Sequence, residues 1–223
     1  MLPFGHFAAG GLTAFAVAYT QPELTPGQTN ALLLWGGFMG FAPDLDMVYA
    51  MKKNGTSKFK LEGDGIDHRE LWPHWPIVWI AALFVLGLFT YSSAFWRDVF
   101  LLACICPLGH LLLDVLDYGV ALFAPISMKF FAVNNPKVGV PLTEGKQGIA
   151  YWLDFLCQNH RHCRLTALME NALLIIGRVI VFYELSVQTS IVTAIIVFVM
   201  LAIPAAAFWI IIRRKFSSVP TFQ

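Results

Sequence analysis

Charge is what this sequence has least of. Fifteen Lys and Arg and fourteen Asp and Glu are spread over 223 residues, 13% of the chain, while 57% is hydrophobic. A soluble domain carries roughly 25% charged residues, so an ordinary soluble core is excluded. Several runs approach the roughly 20 apolar residues that cross a bilayer, and the chain reads as one integral membrane domain over 1–223. A net charge of +1 gives no reason to expect a nucleic-acid or acidic partner. Charge is also missing from the start: nothing charged precedes Glu23, and no Ala-x-Ala-like site follows the first apolar run. That run is expected to stay rather than be cleaved as a signal peptide. Cysteine is sparse. Cys104 and Cys106 sit inside an apolar run, and only Cys157 and Cys163 lie elsewhere, which argues against a disulfide framework. Internal repeats and low-complexity tracts are absent.

What is present is a set of apolar segments. The pattern predicts an all-α polytopic membrane protein with about six spans, near Phe4–Thr20, Ala31–Ala50, Pro76–Phe95, Val99–Phe123, Leu168–Leu185 and Ile191–Ile212. The last two form a 168–212 pair, followed by a 213–223 tail. Loops rich in Lys and Arg tend to stay cytoplasmic. Lys52, Lys53, Lys58, Lys60 and Arg69 fall in the 51–74 loop, Lys129, Lys137, Lys146, Arg161 and Arg164 in the 124–167 loop, and Arg213, Arg214 and Lys215 in the tail. The opposite loops hold only Arg97, and Arg178 lies within the fifth span. With six spans the bias therefore puts both termini in the cytoplasm.

The rare polar groups gather at the ends of these segments. They are His6, Asp44 and Asp46 after Pro43, His68-Arg69-Glu70, His74, and His110 with Asp114. Ionisable groups beside hydrocarbon are expensive and mark a partner or a function. His and Asp together suit divalent metals. His110 and Asp114 are four apart and share one helix face, a way for a helix to offer two ligands to one cation. Pro43 is expected to bend or end the second span, leaving Asp44 and Asp46 where the chain exits the membrane. Two carboxylates so close repel unless a cation or proton is shared. Each group alone has a plain explanation: a His–Asp hydrogen bond, an acidic helix end, a surface histidine. The six-span topology puts His6, Asp44, Asp46, His68, His74, His110 and Asp114 on the same cytoplasmic side, and charge bias and ligand placement are independent observations.

His6 before a Gly/Ala-rich helix, Pro43-Asp44-Leu45-Asp46, His68-Arg69-Glu70 with His74, and Gly109-His110-Leu111-Leu112-Leu113-Asp114 resemble, in order and spacing, the YdjM-like family. These are inner-membrane proteins of bacteria and archaea, inferred to be metal-dependent hydrolases, some of them under LexA control. The resemblance covers about residues 1–118. The family's common His-Arg…Thr/Ser-His pattern stands here as His68-Arg69…Pro73-His74, and the C-terminal half carries no matching motif. Because the family's activity is itself mostly inferred, the resemblance implies a metal-dependent hydrolase in a bacterial or archaeal inner membrane, without a substrate.

A divalent ion held by His and Asp lowers the pKa of water and polarises a phosphoryl or acyl oxygen. Seven candidate ligands exceed the three or four of one catalytic zinc, so two ions are expected, zinc before manganese. Glu70 is the spare carboxylate for a general base, and Arg69 the planar fork for a substrate phosphate. The expected function is phosphoester hydrolysis, of a lipid or a soluble substrate, at the cytoplasmic leaflet. The competing readings are a divalent-metal transporter and a non-catalytic membrane protein with a structural metal. The sequence leaves the oligomeric state open. The 124–167 loop is long enough to be a lid, and 151–156 reads as an interfacial amphipathic stretch. Cys157, His160, His162 and Cys163 lack a usual zinc spacing and read as a basic membrane-proximal segment, with a second, structural metal as the alternative. Glu170 is placed as an extra ligand at the inner end of the fifth span. Arg178 is expected to face the bundle or pair with Glu184, and Pro204 to kink the sixth span.

Overall fold

A computed structural model describes residues 3–53, 68–89, 91, 93–116, 119–133, 168–169, 172–177 and 179–180. The expectations for Cys157, His160, His162, Cys163, Glu170, Arg178, Glu184, Pro204, the 151–156 stretch and the sixth span lie outside the described residues. Five α-helices carry the rest: α1 (Pro3–Tyr19), α2 (Pro26–Phe41), α3 (Asp46–Lys53), α4 (Pro76–Leu86) and α5 (Ala94–Val115). Short 3-10 turns at Ala42–Leu45, His68–Glu70 and Trp72–His74 link them. Among the described residues there is no strand, only an isolated antiparallel bridge between Val120 and Phe131. The all-α expectation holds.

α2 begins where its sequence says it should. Thr25 accepts from the Gln28 backbone N–H, the Gln28 side chain accepts from the Thr25 N–H at 2.9 Å, and Pro26 opens the helix. This reciprocal cap satisfies two otherwise orphaned donors. α1 and α2 pack through small residues. A Cβ on Gly36 would stand 2.5 Å from the Ala14 Cβ and 2.6 Å from the Gly10 oxygen, and one on Gly40 2.5 Å from the His6 oxygen. Gly36 and Gly40 lie one turn apart on α2, as do Gly10 and Ala14 on α1, so two backbones approach as membrane helices do through small-xxx-small faces. α5 joins through Leu102 and Cys106, which pack with Ala14, Ala18, Leu32 and Met39. The Trp35 indole donates to the Val99 carbonyl at 2.8 Å.

The helix boundaries revise two expectations and sharpen a third. Pro43, expected to bend or end the second span, interrupts its α-helix without ending the helical run. The chain tightens into the Ala42–Leu45 turn and continues into α3, with the Asp46 N–H bonded to the Pro43 carbonyl. A proline near the start of a 3-10 turn forfeits only a donor that has no partner there. α4 covers 11 residues, not the expected Pro76–Phe95, because the chain turns at Gly87 and restarts behind Ser93, whose side chain accepts from the Trp96 N–H. α5 therefore spans Ala94–Val115 rather than Val99–Phe123. It ends where Gly119, at φ 89°, returns its N–H to the Asp114 carbonyl at 2.8 Å. Among the described residues, two helical runs, Pro26–Ala50 and Ala94–Val115, are long and apolar enough to cross a membrane. α4 at 11 residues reaches about 17 Å, short of the roughly 30 Å hydrocarbon core. Of the fifth expected span, 172–177 is helical and Gly177 faces Ala8 of α1.

Candidate metal centre

Four chain segments bring histidines and aspartates to one end of the bundle. α1 supplies His6 from its first turns, held there by the close approach of Gly40 to the His6 backbone. The Ala42–Leu45 turn supplies Asp44, the start of α3 Asp46, and α5 the stacked pair His110 and Asp114. His74 comes from the Trp72–His74 turn. That turn is pinned on both sides, since Trp75 donates its indole N–H to the Glu70 carbonyl at 2.9 Å and Trp79 to the Pro73 carbonyl at 2.7 Å.

His6, His74 and His110 are buried to within 1% of complete, and Asp44 and Asp114 are 8% and 5% exposed. His110 Nε2 lies 3.3 Å from Asp114 Oδ2 and 3.6 Å from Asp44 Oδ1. His74 Nε2 lies 3.9 Å from Asp44 Oδ1 and 4.0 Å from Asp114 Oδ2. His6 Nε2 is 3.1 Å from Asp114 Oδ1, and its ring stacks on His110 at 3.7 Å.

The opposite ring nitrogens settle how the two imidazoles face. His110 Nδ1 is 2.8 Å from the Gly40 carbonyl oxygen, which only accepts, so Nδ1 carries the proton. His74 Nδ1 is 3.0 Å from Asp46 Oδ2, and an ionised carboxylate likewise only accepts. Each ring thus turns its Nε2 toward the space between Asp44 and Asp114. Histidines that ligate metals characteristically donate their other N–H to a carbonyl or carboxylate.

Two triads, His6–Asp44–His110 and His74–His110–Asp114, have donor atoms all within 4.8 Å of one another. Donors about a tetrahedral zinc at roughly 2.0–2.1 Å stand about 3.3 Å apart. The His–Asp separations of 3.3–4.0 Å match that spacing with slight expansion. The buried Nε2 atoms of His6 and His110 make no hydrogen bond. Buried polar atoms are normally satisfied, and a cation between the carboxylates would satisfy that of His110. The residue set fits a divalent ion.

Five of the seven expected ligands, His6, Asp44, His74, His110 and Asp114, converge here. Asp46 stands behind His74 and orients it. The side chain of His68 lies outside the described residues. Arg69 is buried with its guanidinium 5.4 Å from the Phe130 ring centroid, while Glu70 is exposed. Phe130 belongs to the returning segment 119–133, tied to α5 by the Val133 N–H on the Val115 carbonyl at 2.7 Å. Sequence reasoning missed the Gly40 carbonyl, although Gly36 and Gly40 at helical spacing signalled a close helix contact. Nothing in the sequence signalled Phe130.

No curated protein and no solved structure matches this chain. A family model described as YdjM inner membrane protein matches residues 1–215, so it reaches well beyond the motifs of the first half, and the chain belongs to the YdjM inner membrane protein family.

Proposed function

We propose that this inner-membrane protein is a metal-dependent hydrolase of phosphoesters, with its centre at the cytoplasmic ends of about six spans and both termini in the cytoplasm. The observation that carries the reading is the convergence of the His74 and His110 Nε2 atoms on two buried carboxylates, at 3.3–4.0 Å. His74, His110, Asp44 and Asp114 would hold the ion, zinc by the ligand set, with manganese the alternative. The two triads share His110, whose single free lone pair serves one ion. The second ion expected from seven candidate ligands would need His68 in addition to His6. When bound, such an ion supplies Lewis acidity toward a phosphoryl oxygen and activation of water. Asp46 and the Gly40 carbonyl hold the imidazoles in the ligating tautomer. Arg69 and Glu70, two residues of one turn, are the proposed phosphate clamp and proton acceptor, and the returning segment through Phe130 covers Arg69.

The near-complete burial of the donor set favours a second reading, a closed structural metal. One experiment separates the two: metal content, melting temperature and phosphodiester turnover of the purified protein, with Asp44→Ala and His110→Ala beside it. The hydrolase reading expects one or two zinc ions per chain and turnover that both variants abolish while they stay folded. Variants that lose zinc and unfold together, from a parent without turnover, would establish the structural centre. Zinc uptake into proteoliposomes that Asp114→Ala abolishes would instead favour transport.

A further inference from the structure

Every chain segment that brings a donor to the centre also turns a large apolar side chain outward beside it. Phe7 follows His6 and is 44% exposed, Leu45 lies between Asp44 and Asp46 at 44%, Trp72 precedes His74 at 58%, and Leu112 lies between His110 and Asp114 at 68%. A centre in a water-facing domain would be ringed by polar residues. Among the described residues these four flank the centre with the kind of surface that faces lipid, and in a membrane protein such surface continues the hydrocarbon-facing belt. α3 then marks where that belt stops. It half-buries Asp46, which holds His74, buries Ala50 one turn on, and exposes Val48 at 63%, Tyr49 at 54%, and then Lys52 and Lys53. Apolar and tyrosyl groups followed within a turn by lysines are the arrangement of a helix at the membrane interface. Lysines there attract anionic headgroups.

We infer that the substrate is an anionic phospholipid of the leaflet that α3 meets, entering sideways from the bilayer, with Lys52 and Lys53 receiving its headgroup and Val48 and Tyr49 seating α3 among the chains. This deepens the hydrolase reading and rests on it. Asp46, which orients His74, lies within two turns of the lysines along α3, so a phospholipid drawn to them by its charge arrives at the interface beside the donor set. A soluble ester would have to cross that apolar surface. In the reaction the oxygen of water bonds to phosphorus and a P–O ester bond breaks. The departing alkoxide keeps the electron pair and takes up the proton that water gives up, so no further reactant is needed.

The test uses the full chain, zinc-loaded, in nanodiscs of phosphatidylcholine containing phosphatidylglycerol, with bis(p-nitrophenyl) phosphate as the soluble ester. Release of product from phosphatidylglycerol should exceed cleavage of the soluble ester. K52A/K53A should lower the ratio of lipid to soluble turnover roughly thirtyfold, and V48D/Y49D should lower it as well. Preferential cleavage of the soluble ester, or a ratio that neither double variant moves, overturns the lipid assignment and leaves the hydrolase. Bound zinc with neither ester cleaved overturns both, and so does a protein that binds no zinc; the zinc content tells these two failures apart.

Discussion

His110 is fixed from behind by Gly40, whose carbonyl oxygen sits 2.8 Å from Nδ1 and leaves Nε2 aimed between Asp44 and Asp114. The contact joins the end of α2 to α5, so a turn of backbone decides which imidazole nitrogen faces the centre. His110→Ala removes the donor common to both triads and should abolish zinc binding measured by elemental analysis. His110→Gln keeps a hydrogen-bonding amide but no imidazole lone pair, and should fail equally. Full zinc content in either variant would remove His110 from the centre.

Asp44 and Asp46 should separate under the same substitution. Asp44→Asn replaces an oxygen that faces two imidazoles, at 3.6 and 3.9 Å, and should lose most bound zinc. Asp46→Asn disturbs a residue that orients His74 from behind. Removing such a partner weakens metal affinity by about 10- to 100-fold, so zinc should still bind at saturation with a higher dissociation constant. Competition titration against a chelating dye measures both, and equal affinities in the two variants would contradict the assignment.

That division was not legible in the sequence. The positions of the candidate ligands were, because His and Asp in apolar runs are costly and their order repeats a family pattern. Two aspartates after a proline look equivalent until the Ala42–Leu45 turn rotates one toward the centre and gives the other to α3. The i, i+4 pair His110 and Asp114 was readable because a helix fixes its own side-chain register. His74 was readable only as a loop residue, since its place depends on indole bonds from Trp75 to the Glu70 carbonyl of the preceding turn and from Trp79 to the Pro73 carbonyl of its own. The length of α4 was hidden for another reason. Residues 76–95 are apolar nearly throughout, so hydropathy sees one span, whereas Gly87 and the Ser93 cap divide it. The second half gave no motif, although the family match runs to residue 215.

The α1–α2 contact should set the position of His6. A Cβ on Gly40 would stand 2.5 Å from the His6 oxygen and 2.9 Å from the Gly10 Cα, both backbone atoms that cannot rotate away. Gly40→Ala therefore forces the helices apart and should destabilise the protein by about 1–3 kcal/mol, the usual range for overpacking. It also moves the carbonyl that holds His110, so zinc affinity should fall with the melting temperature. Gly27→Ala is the control, because a Cβ there meets nothing within 4 Å.

Bound metal should stabilise the fold, because its donors come from four separate segments and no such set persists in an unfolded chain. Zinc at about 100 times its dissociation constant adds about 2.7 kcal/mol by mass action. A chelator should lower the melting temperature of the parent and leave Asp114→Ala, already metal-free, unmoved. Melting curves in detergent with and without zinc give the result, and a parent indifferent to chelator would count against a metal between these four segments.

Glu70 and Arg69 are neighbours in sequence that should behave as opposites. Glu70 is exposed, whereas Arg69 is buried and packs its guanidinium on Phe130 at 5.4 Å. If Glu70 accepts a proton during turnover, Glu70→Gln should cut kcat by roughly 100-fold or more with zinc content and melting temperature unchanged. Loss of activity at unchanged metal content is an outcome a surface carboxylate would not give. Arg69→Lys keeps the charge but loses the planar fork and much of the stacking, which lysine does not replace. It should lower both the melting temperature and, if the fork meets the phosphate, the affinity for substrate. Phe130→Ala supplies the comparison: it removes the ring and keeps the guanidinium, so a change in stability shared with Arg69→Lys belongs to packing, and a change in KM confined to Arg69→Lys belongs to the phosphate.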